Sequence, residues 1–299
     1  MSIASNSCGT GAIYDLDLAT LSINLSHVGL FLQASQPGNY LSASRDGSKV
    51  MVVVPGSDPG PVYVWDAVTS AWSTGWPGNS FGDGTASGDG NVFAVSGGTG
   101  TGAKIGFAFV DPLANRLSIT GLPDYIPFLL SQQGMKLNDS GSLLYAPVYA
   151  GFQTQALRQS AVDIYDVQTN ELRERILLSE SFASPTSQAT NVLALDTSGQ
   201  NIFLITQSGL TVLALDSVPL SIGSVSPTSG APGNVVTIRG SGFTSSTTVS
   251  FGTVSASPAI IDSNTLRVAV PGTPAGPTPI TLSDPNGFTY SLDAAFVVN

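Results

Sequence analysis

The sequence predicts an all-β protein in two parts: repeated four-stranded antiparallel units over residues 1–217, then a small β-sandwich over 218–299. Three observations carry this. Gly and Pro hold 33 and 19 positions, scattered among short runs of Val, Ile, Leu, Phe and Tyr, which is the composition of many short strands joined by turns. A turn-plus-strand phrase recurs through the first part. The second part is one dense series of alternating strands bounded by Gly and Pro, with no helical period.

The recurring phrase appears as R-D-G-S-K-V-M-V-V-V from Arg45 and G-D-G-N-V-F-A-V from Gly88, and again as N-D-S-G-S-L-L-Y-A-P-V from Asn138 and D-T-S-G-Q-N-I-F-L-I from Asp196. Its turn glycines are Gly47, Gly90, Gly141 and Gly199, spaced by 43, 51 and 58 residues. Glycine there supplies the positive φ of a tight hairpin, and a neighbouring Asp or Ser bonds the turn backbone.

A second phrase follows each copy, a strand of alternating apolar residues that ends in Asp: Asp66, Asp111, Asp166 and Asp216. A fifth copy, A-I-Y-D, ends at Asp15. After most copies come a short turn and a further strand, at Leu21, Ala71, Arg116 and Leu172. Strand, glycine turn, strand, loop, Asp-ended strand, turn, strand describes one four-stranded antiparallel blade, the unit of a β-propeller. Y-V-W-D at Tyr63–Asp66 resembles YVTN and WD-repeat propellers, although the Gly-His pair of WD repeats is missing from every blade. Four glycine turns against five Asp-ended strands leave four or five blades open. The last repeat, 191–216, has no evident fourth strand. Leu21–Ser26 is the candidate to supply it, closing a ring by pairing the chain ends and leaving Ala12–Asp17 spare or paired elsewhere. An open array that needs another chain fits the repeats equally.

From Ile222 the residues read I-G-S-V-S-P-T-S-G-A-P-G-N-V-V-T-I-R-G-S-G-F, followed by V-S-F-G at Val249–Gly252, N-T-L-R-V-A-V-P at Asn264–Pro271, P-I-T-L at Pro279–Leu282 and a terminal F-V-V from Phe296. This ordered set resembles the IPT/TIG family, which implies an immunoglobulin-like sandwich. The residues agree independently: Val236 and Ile238 alternate with Val235 and Thr237 across a strand, Gly240 and Gly242 permit a sharp reversal, and Phe243 is placed to cover one end. The resemblance implies a setting in receptor ectodomains, bacterial surface proteins or beside carbohydrate-active domains. A further branch of the family contacts DNA through basic loops, which this sequence lacks.

Charge narrows the partners. There are 20 acids against 10 bases, a net charge of −10, and neither part has the Lys/Arg cluster that nucleic acid or an anionic lipid surface requires. No apolar run reaches the ~20 residues of a transmembrane helix. The start, M-S-I-A-S-N-S-C-G-T, has no basic n-region or apolar h-region and so does not read as a signal peptide. Cys8 is the one cysteine and His27 the one histidine, which excludes an internal disulfide and cysteine- or histidine-rich metal centres.

Candidate chemistry is sparse. His27 lies near Asp15, Asp17 and several serines, but no G-x-S-x-G elbow is present and a triad is defined by geometry. Asp83 and Asp89 in F-G-D-G-T-A-S-G-D-G-N offer oxygens to calcium, yet turn bonding explains them more simply. Trp65, Trp72 and Trp76 fall within twelve residues; Trp72 and Trp76 form either a stacking surface for a sugar or peptide, or packing between blades. Gly97–Gly102 reads as a long hairpin loop, lacking the Gly-Lys-Ser/Thr of a phosphate cradle. Asn24-Leu25-Ser26 and Asn138-Asp139-Ser140 match glycosylation triplets.

No residue is assigned to catalysis, a cofactor or a metal. The expected protein is a non-enzymatic extracellular or cell-surface protein, working in adhesion, scaffolding or assembly through protein and possibly glycan contacts, with a homo-oligomer through N-terminal strand pairing. The rival is a propeller enzyme or sensor, lyase- or lactonase-like, with a site in a central funnel.

Overall fold

The computed structural model describes residues 2–5, 10–17, 19–31, 40–53, 62–75, 81–99, 102–111, 116–121, 134–148, 159–183 and 191–299. Every helix-or-strand element among them is a strand. The chain opens with a three-stranded antiparallel sheet of β1 (Ser2–Ser5), β2 (Thr10–Asp17) and β3 (Ser22–Phe31). A first blade follows, with β4 (Tyr40–Ala43), β5 (Lys49–Val53), β6 (Val62–Asp66) and β7 (Ala71–Gly75), then a second with β8 (Phe81–Ala86), β9 (Val92–Thr99), β10 (Gly102–Asp111) and β11 (Arg116–Gly121). These two blades touch at one parallel pair, Arg116 with Thr74, which joins them as an eight-stranded sheet. The third blade is β12 (Lys136–Leu137), β13 (Leu143–Val148), β14 (Ala161–Asp166) and β15 (Leu172–Leu177). A last sheet has β16 (Leu193–Leu195), β17 (Asn201–Thr206) and β18 (Gly209–Ala214).

The first hairpin of each of the three blades and of the last sheet is built the same way. Gly47, Gly90, Gly141 and Gly199 have φ of 71°, 69°, 68° and 73°, and each donates its N–H to the carbonyl three residues back, at 3.0–3.2 Å. The residue that opens the turn then bonds across it: Ser44 Oγ accepts from Lys49 N, Ser87 Oγ from Val92 N, and Asn138 Oδ1 from Leu143 N. Asn138 therefore serves the turn and is only 2% exposed, so its glycosylation triplet is not presented at the surface.

That turn fixes which way every residue of the second strand points. The fourth residue after each glycine faces the following sheet and its neighbours face the preceding one. Met51 and Val53 meet Ala86, Phe93 and Val95. Val92 and Ala94 meet Leu137, Leu144 and Ala146. Leu143 and Tyr145 meet Leu193, Ile202 and Leu204. Because both faces are covered, L-L-Y-A-P-V in β13 is buried throughout and reads as a continuous apolar run instead of an alternating one. Each such aliphatic side chain contributes roughly 1.5–3 kcal/mol on burial.

The second hairpin has its own device. Asp66 Oδ1 accepts from Val68 N and Thr69 N at 2.9 and 3.2 Å, and Asp166 Oδ1 from Gln168 N and Thr169 N at 3.0 and 2.8 Å. The next residue, Ser70 or Asn170, takes a positive φ. In the first sheet the residue doing this is Asp17, bonded by Ala19 N and Thr20 N ahead of Leu21 at φ 54°. The expected Asp15 copy is thus displaced by two residues: Asp15 pairs with Leu25 in mid-strand, and a bulge after it breaks the alternation with Asp17.

Two further expectations are corrected. Leu21–Ser26 does not complete the last repeat; Ser22–Ser26 belongs to β3 and pairs with β2, so Ala12–Asp17 is not spare. A local hairpin closes with less loss of chain entropy than a union of the chain ends. Gly97 and Gly98 are not part of a long loop: they extend β9, opposite Lys104 and Ala103 of β10. The missing fourth strand of the last sheet has a local cause. After β18 the chain reads Asp216-Ser217-Val218-Pro219. Proline stands third after the aspartate, where the other turns donate an N–H, and it has none to give.

The chain enters instead a sandwich of β19 (Ser221–Ser226), β20 (Ser229–Gly230), β21 (Val235–Ser241), β22 (Thr248–Phe251), β23 (Val254–Ala256), β24 (Ala259–Asp262), β25 (Thr265–Ala269), β26 (Gly276–Ser283) and β27 (Thr289–Val298). One sheet orders β19-β21-β25-β24 and the other β20-β27-β26-β22-β23. Their inner faces share a core that includes Ile222, Val236, Ile238, Leu266, Ile280 and Leu282. Phe251 and Phe296 meet edge to face with centroids 5.5 Å apart. Phe243 joins this core after Gly242, at φ 72°, reverses the chain.

The turn glycines differ in what surrounds them, which gives a graded test. A Cβ at Gly47 meets nothing within 4 Å, whereas one at Gly141 falls 2.7 Å from Val92 Cβ. Gly47→Ala is expected to cost about 1–2 kcal/mol from the left-handed backbone alone. Gly141→Ala adds overpacking of about 1–3 kcal/mol. Urea titration of the two variants checks the order; equal losses would contradict it.

Candidate functional site

The glycine turns do more than start hairpins: they bond to one another along one rim. Arg45 N donates to Gly88 O and Asp89 N to Asp139 O, both at 2.9 Å. The sandwich continues this rim. Ser140 Oγ donates to Gly240 O at 2.6 Å, and Asn264 Nδ2 donates to Thr197 O at 2.9 Å, so the sandwich bridges the third and last glycine turns. Gly223 has to be glycine for this approach, since a Cβ there lies 2.8 Å from Ser140 O.

Charge follows the same contact. Arg239 of β21 lies between Asp89 Oδ2 at 3.4 Å and Asp139 Oδ2 at 3.5 Å, while Arg45 reaches Asp139 Oδ1 at 2.8 Å. Burial raises the Asp139 carboxyl above its ordinary value; Arg45 and Arg239 pull it back, and Asp89 and Asp262 push it up. Asp89, weighed above as a calcium ligand, is committed here: it also accepts from Ser87 Oγ, Asn91 N and Asn91 Nδ2. Asp83 lies on β8, and its side chain is outside the described residues. Among the described residues no three or more His, Cys, Asp or Glu are grouped to hold a metal.

On the outer side, Tyr290 of β27 donates to Asp166 Oδ1 at 3.2 Å, adding a third bond to the carboxylate that closes the β14–β15 turn. The Arg173 guanidinium lies 5.2 Å from the Tyr290 ring centre, and Gln168 Nε2 donates to Gly223 O at 2.9 Å. Burial raises Asp166, against the Thr169 and Tyr290 bonds that lower it.

Beside this contact lies a cleft of about 500 Å³, within the range of small-molecule sites, walled by β15, the last glycine turn, the Asp216–Leu220 linker and three sandwich loops. Arg173, Glu174, Gln200, Asp216, Asn286 and Phe288 line it. Phe288 is 67% exposed, on a loop held by Asp284, whose Oδ1 accepts from Asn286 N and Phe288 N, both at 2.9 Å. Desolvation at the cleft wall raises the Glu174 carboxyl.

The tryptophans fall elsewhere. Trp65 and Trp72 are a cross-strand pair 5.2 Å apart, with Tyr63 edge-on to Trp72, which favours packing within the first blade over a free stacking surface. Trp76, Cys8 and the side chain of His27 lie outside the described residues; His27 itself sits on β3 opposite Ile13. Arg239, Tyr290 and Phe288 were not candidates from sequence. Arg239 alone carried a signal, as the cation in V-T-I-R-G among only two arginines after residue 217.

Residues 220–298 match the family model described as IPT/TIG domain. Over 78 residues the chain is 41% identical to a cyclomaltodextrin glucanotransferase of Paenibacillus macerans, a match covering 25% of this chain and 11% of that enzyme. Among solved structures, the β-propeller domain of Myceliophteria thermophila Cps50 (Swd1) aligns at 14% identity and TM-score 0.45, over 95% of this chain and 79% of that one. KlAtg21, in complex with the coiled-coil of AgAtg16, aligns at 14% identity and TM-score 0.46, over 72% and 65%. TolB of Acinetobacter baumannii aligns at 15% and TM-score 0.40, over 89% and 50%.

Two predictions rest on this contact. Ser140→Ala with Tyr290→Phe removes one bond at each side, each contributing about 0.5–1.5 kcal/mol, more where a carboxylate accepts; calorimetry is expected to show the sandwich melting separately from the sheets, and a single unaltered transition would refute it. The second concerns pH. Asp139 and Asp166, raised above the ordinary 3.8, and Glu174, raised above 4.5, bind protons more readily in the folded chain. Their destabilising effect at neutral pH is therefore relieved as pH falls through their raised values. Asp66, lowered from 3.8 chiefly by Lys49, and Asp46, lowered to about 2 by its bonds to Ser44 and Ser48, favour folding above 3.8 and lose that effect below it. Melting temperature is expected to rise from neutral pH toward the ordinary carboxylate range and drop beneath it; a monotonic fall from neutrality would contradict the assignment.

Proposed function

On the premise that residues 220–298 are an IPT/TIG domain, we propose that the chain is a non-enzymatic interaction protein of the extracellular space or cell surface, contacting protein and glycan partners from a two-part β-scaffold. The observation that supports this most is the junction. Gly240 and Gly223 from one sandwich sheet and Tyr290 from the other are all bonded into the turns of the blades. The cleft beside them is assembled from six segments of the chain that this junction holds together, and such preorganisation lowers the cost of binding. Low charge and a surface-type module support the setting.

The cleft has the chemistry of a neutral oligosaccharide site. Phe288 offers an apolar ring face, Glu174 and Asp216 accept hydrogen bonds from hydroxyls, and Gln200 and Asn286 both donate and accept. The relative that shares the sandwich bears the name of a maltodextrin enzyme, which makes an α-glucan the first probe.

Calorimetric titration with maltoheptaose, and with cellohexaose as the β-linked comparison, tests the reading. Saturable binding is expected, weakened at least about tenfold, or ~1.4 kcal/mol, by Phe288→Ala. Because that ring is mostly exposed, its removal leaves the fold intact. Absence of binding to both sugars, or equal binding by the variant, would remove the glycan part of the proposal.

A further inference from the structure

We infer that the chain self-associates head to tail, the outer face of its last sheet packing on the first sheet of a second copy. The argument starts from the register set by the turn glycines. The fourth residue after each is Met51, Ala94, Tyr145 and Phe203, all on the same face of their own sheets. The first three are buried against the following sheet. Among the described residues no sheet lies against Phe203 in this way. On its face Ile205, Leu210 and Val212 are 43%, 67% and 52% exposed, and they form one patch because Ile205 pairs with Leu210 and Phe203 with Val212. The opposite face, through Ile202 and Leu204, is fully buried against the third blade. A terminal repeat that ends an array carries a polar outer face; this one carries the apolar face of an interior blade.

The first sheet presents the matching half. The residue just before each second-turn aspartate is Leu16, Trp65 and Tyr165. Tyr165 packs against the blade before its own, and Trp65 and Tyr165 are 9% and 6% exposed. Leu16 is 37% exposed, against those two buried counterparts, and Ile23, its cross-strand partner, is 61% exposed, against 46% for Leu172 opposite Tyr165. Ile23 and Leu16 thus occupy the places that Trp72 and Trp65 hold in the first blade. One end of the chain exposes a forward-facing blade surface and the other a backward-facing one. Since Leu16 and Ile23 on one sheet and Ile205, Leu210 and Val212 on the other are exposed in the single chain, these side chains do not cover each other there. A second copy brings the two together and repeats the contact already made between blades. Such a contact is heterologous, so it closes into a ring or continues as an array.

This rests on the interaction reading above and gives it a defined partner, replacing strand-edge pairing with face packing. Sedimentation velocity over a wide concentration range tests it, using the whole chain, Val212→Lys and Ile23→Lys. Both positions are more than half exposed, and intrinsic tryptophan fluorescence checks that each variant stays folded. The parent is expected to associate with concentration. Each variant alone is expected to be monomeric, because each has lost one of the two faces. An equimolar mixture is expected to form a dimer and nothing larger, since one intact face remains on each partner. A parent that stays monomeric throughout overturns the inference, as does association that survives in either variant, or a mixture that fails to dimerise. Glycan binding that persists in monomeric Val212→Lys leaves the functional reading standing, whatever becomes of self-association.

Discussion

The left-handed glycine at each first hairpin is the constraint on which the rest depends. Its φ near 70° fixes the turn, the turn fixes the register, and the register decides which alternate residues look forward and which look back. From that come three apolar cores, each shared between successive sheets. The same turns carry free carbonyls and short polar side chains on their outer side. Stacked together, they form the rim on which the sandwich sits. A single backbone requirement, repeated four times, therefore organises both the packing of the blades and the docking of the second part.

The sandwich arrives where a strand is missing. Asp216 is in place to close a second turn, but Pro219 withholds the N–H that the turn needs, and the chain runs on into β19. The diversion creates the linker wall of the cleft and leaves the outer edge and face of the last sheet uncovered. Polar contacts then compensate for the lost strand. Gly240, Arg239, Asn264 and Tyr290 of the sandwich contact turns that the blades already hold firmly, so little ordering is required of either side.

Charge in this junction is balanced against burial. Asp139 and Asp166 are carboxylates taken largely out of water: Asp139 faces two guanidinium groups, Asp166 accepts its hydrogen bonds on Oδ1 while its buried Oδ2 has no partner among the described residues, and desolvation raises both. Such groups specify one arrangement of the two parts more than they add stability, because removing either partner strands a buried polar group. Exposed turn carboxylates such as Asp46 do the reverse, stabilising the fold by accepting hydrogen bonds without loss of hydration.

Local chemistry was legible in the sequence: the turn glycines, the strands that follow them, the strands ending at Asp66, Asp111 and Asp166, and the IPT/TIG run from Ile222, in each case because the responsible residues are neighbours; the strand expected to end at Asp216 stops at Ala214. What escaped was anything set by distant pairing. Asp15 and Asp17 are equally good turn formers in isolation, and only the bulge opposite Leu25 selects Asp17. Gly97 and Gly98 look like loop until β10 is laid beside them. The junction pairs Ser140 with Gly240 and Asp166 with Tyr290 across more than a hundred residues, and no local pattern announces such partners. The sequence by itself determined the hairpins and the two kinds of unit, since turn backbone and strand alternation are short-range. Tertiary structure alone decided which faces are covered, which stay open and where the cleft forms, because burial depends on what the rest of the chain brings alongside.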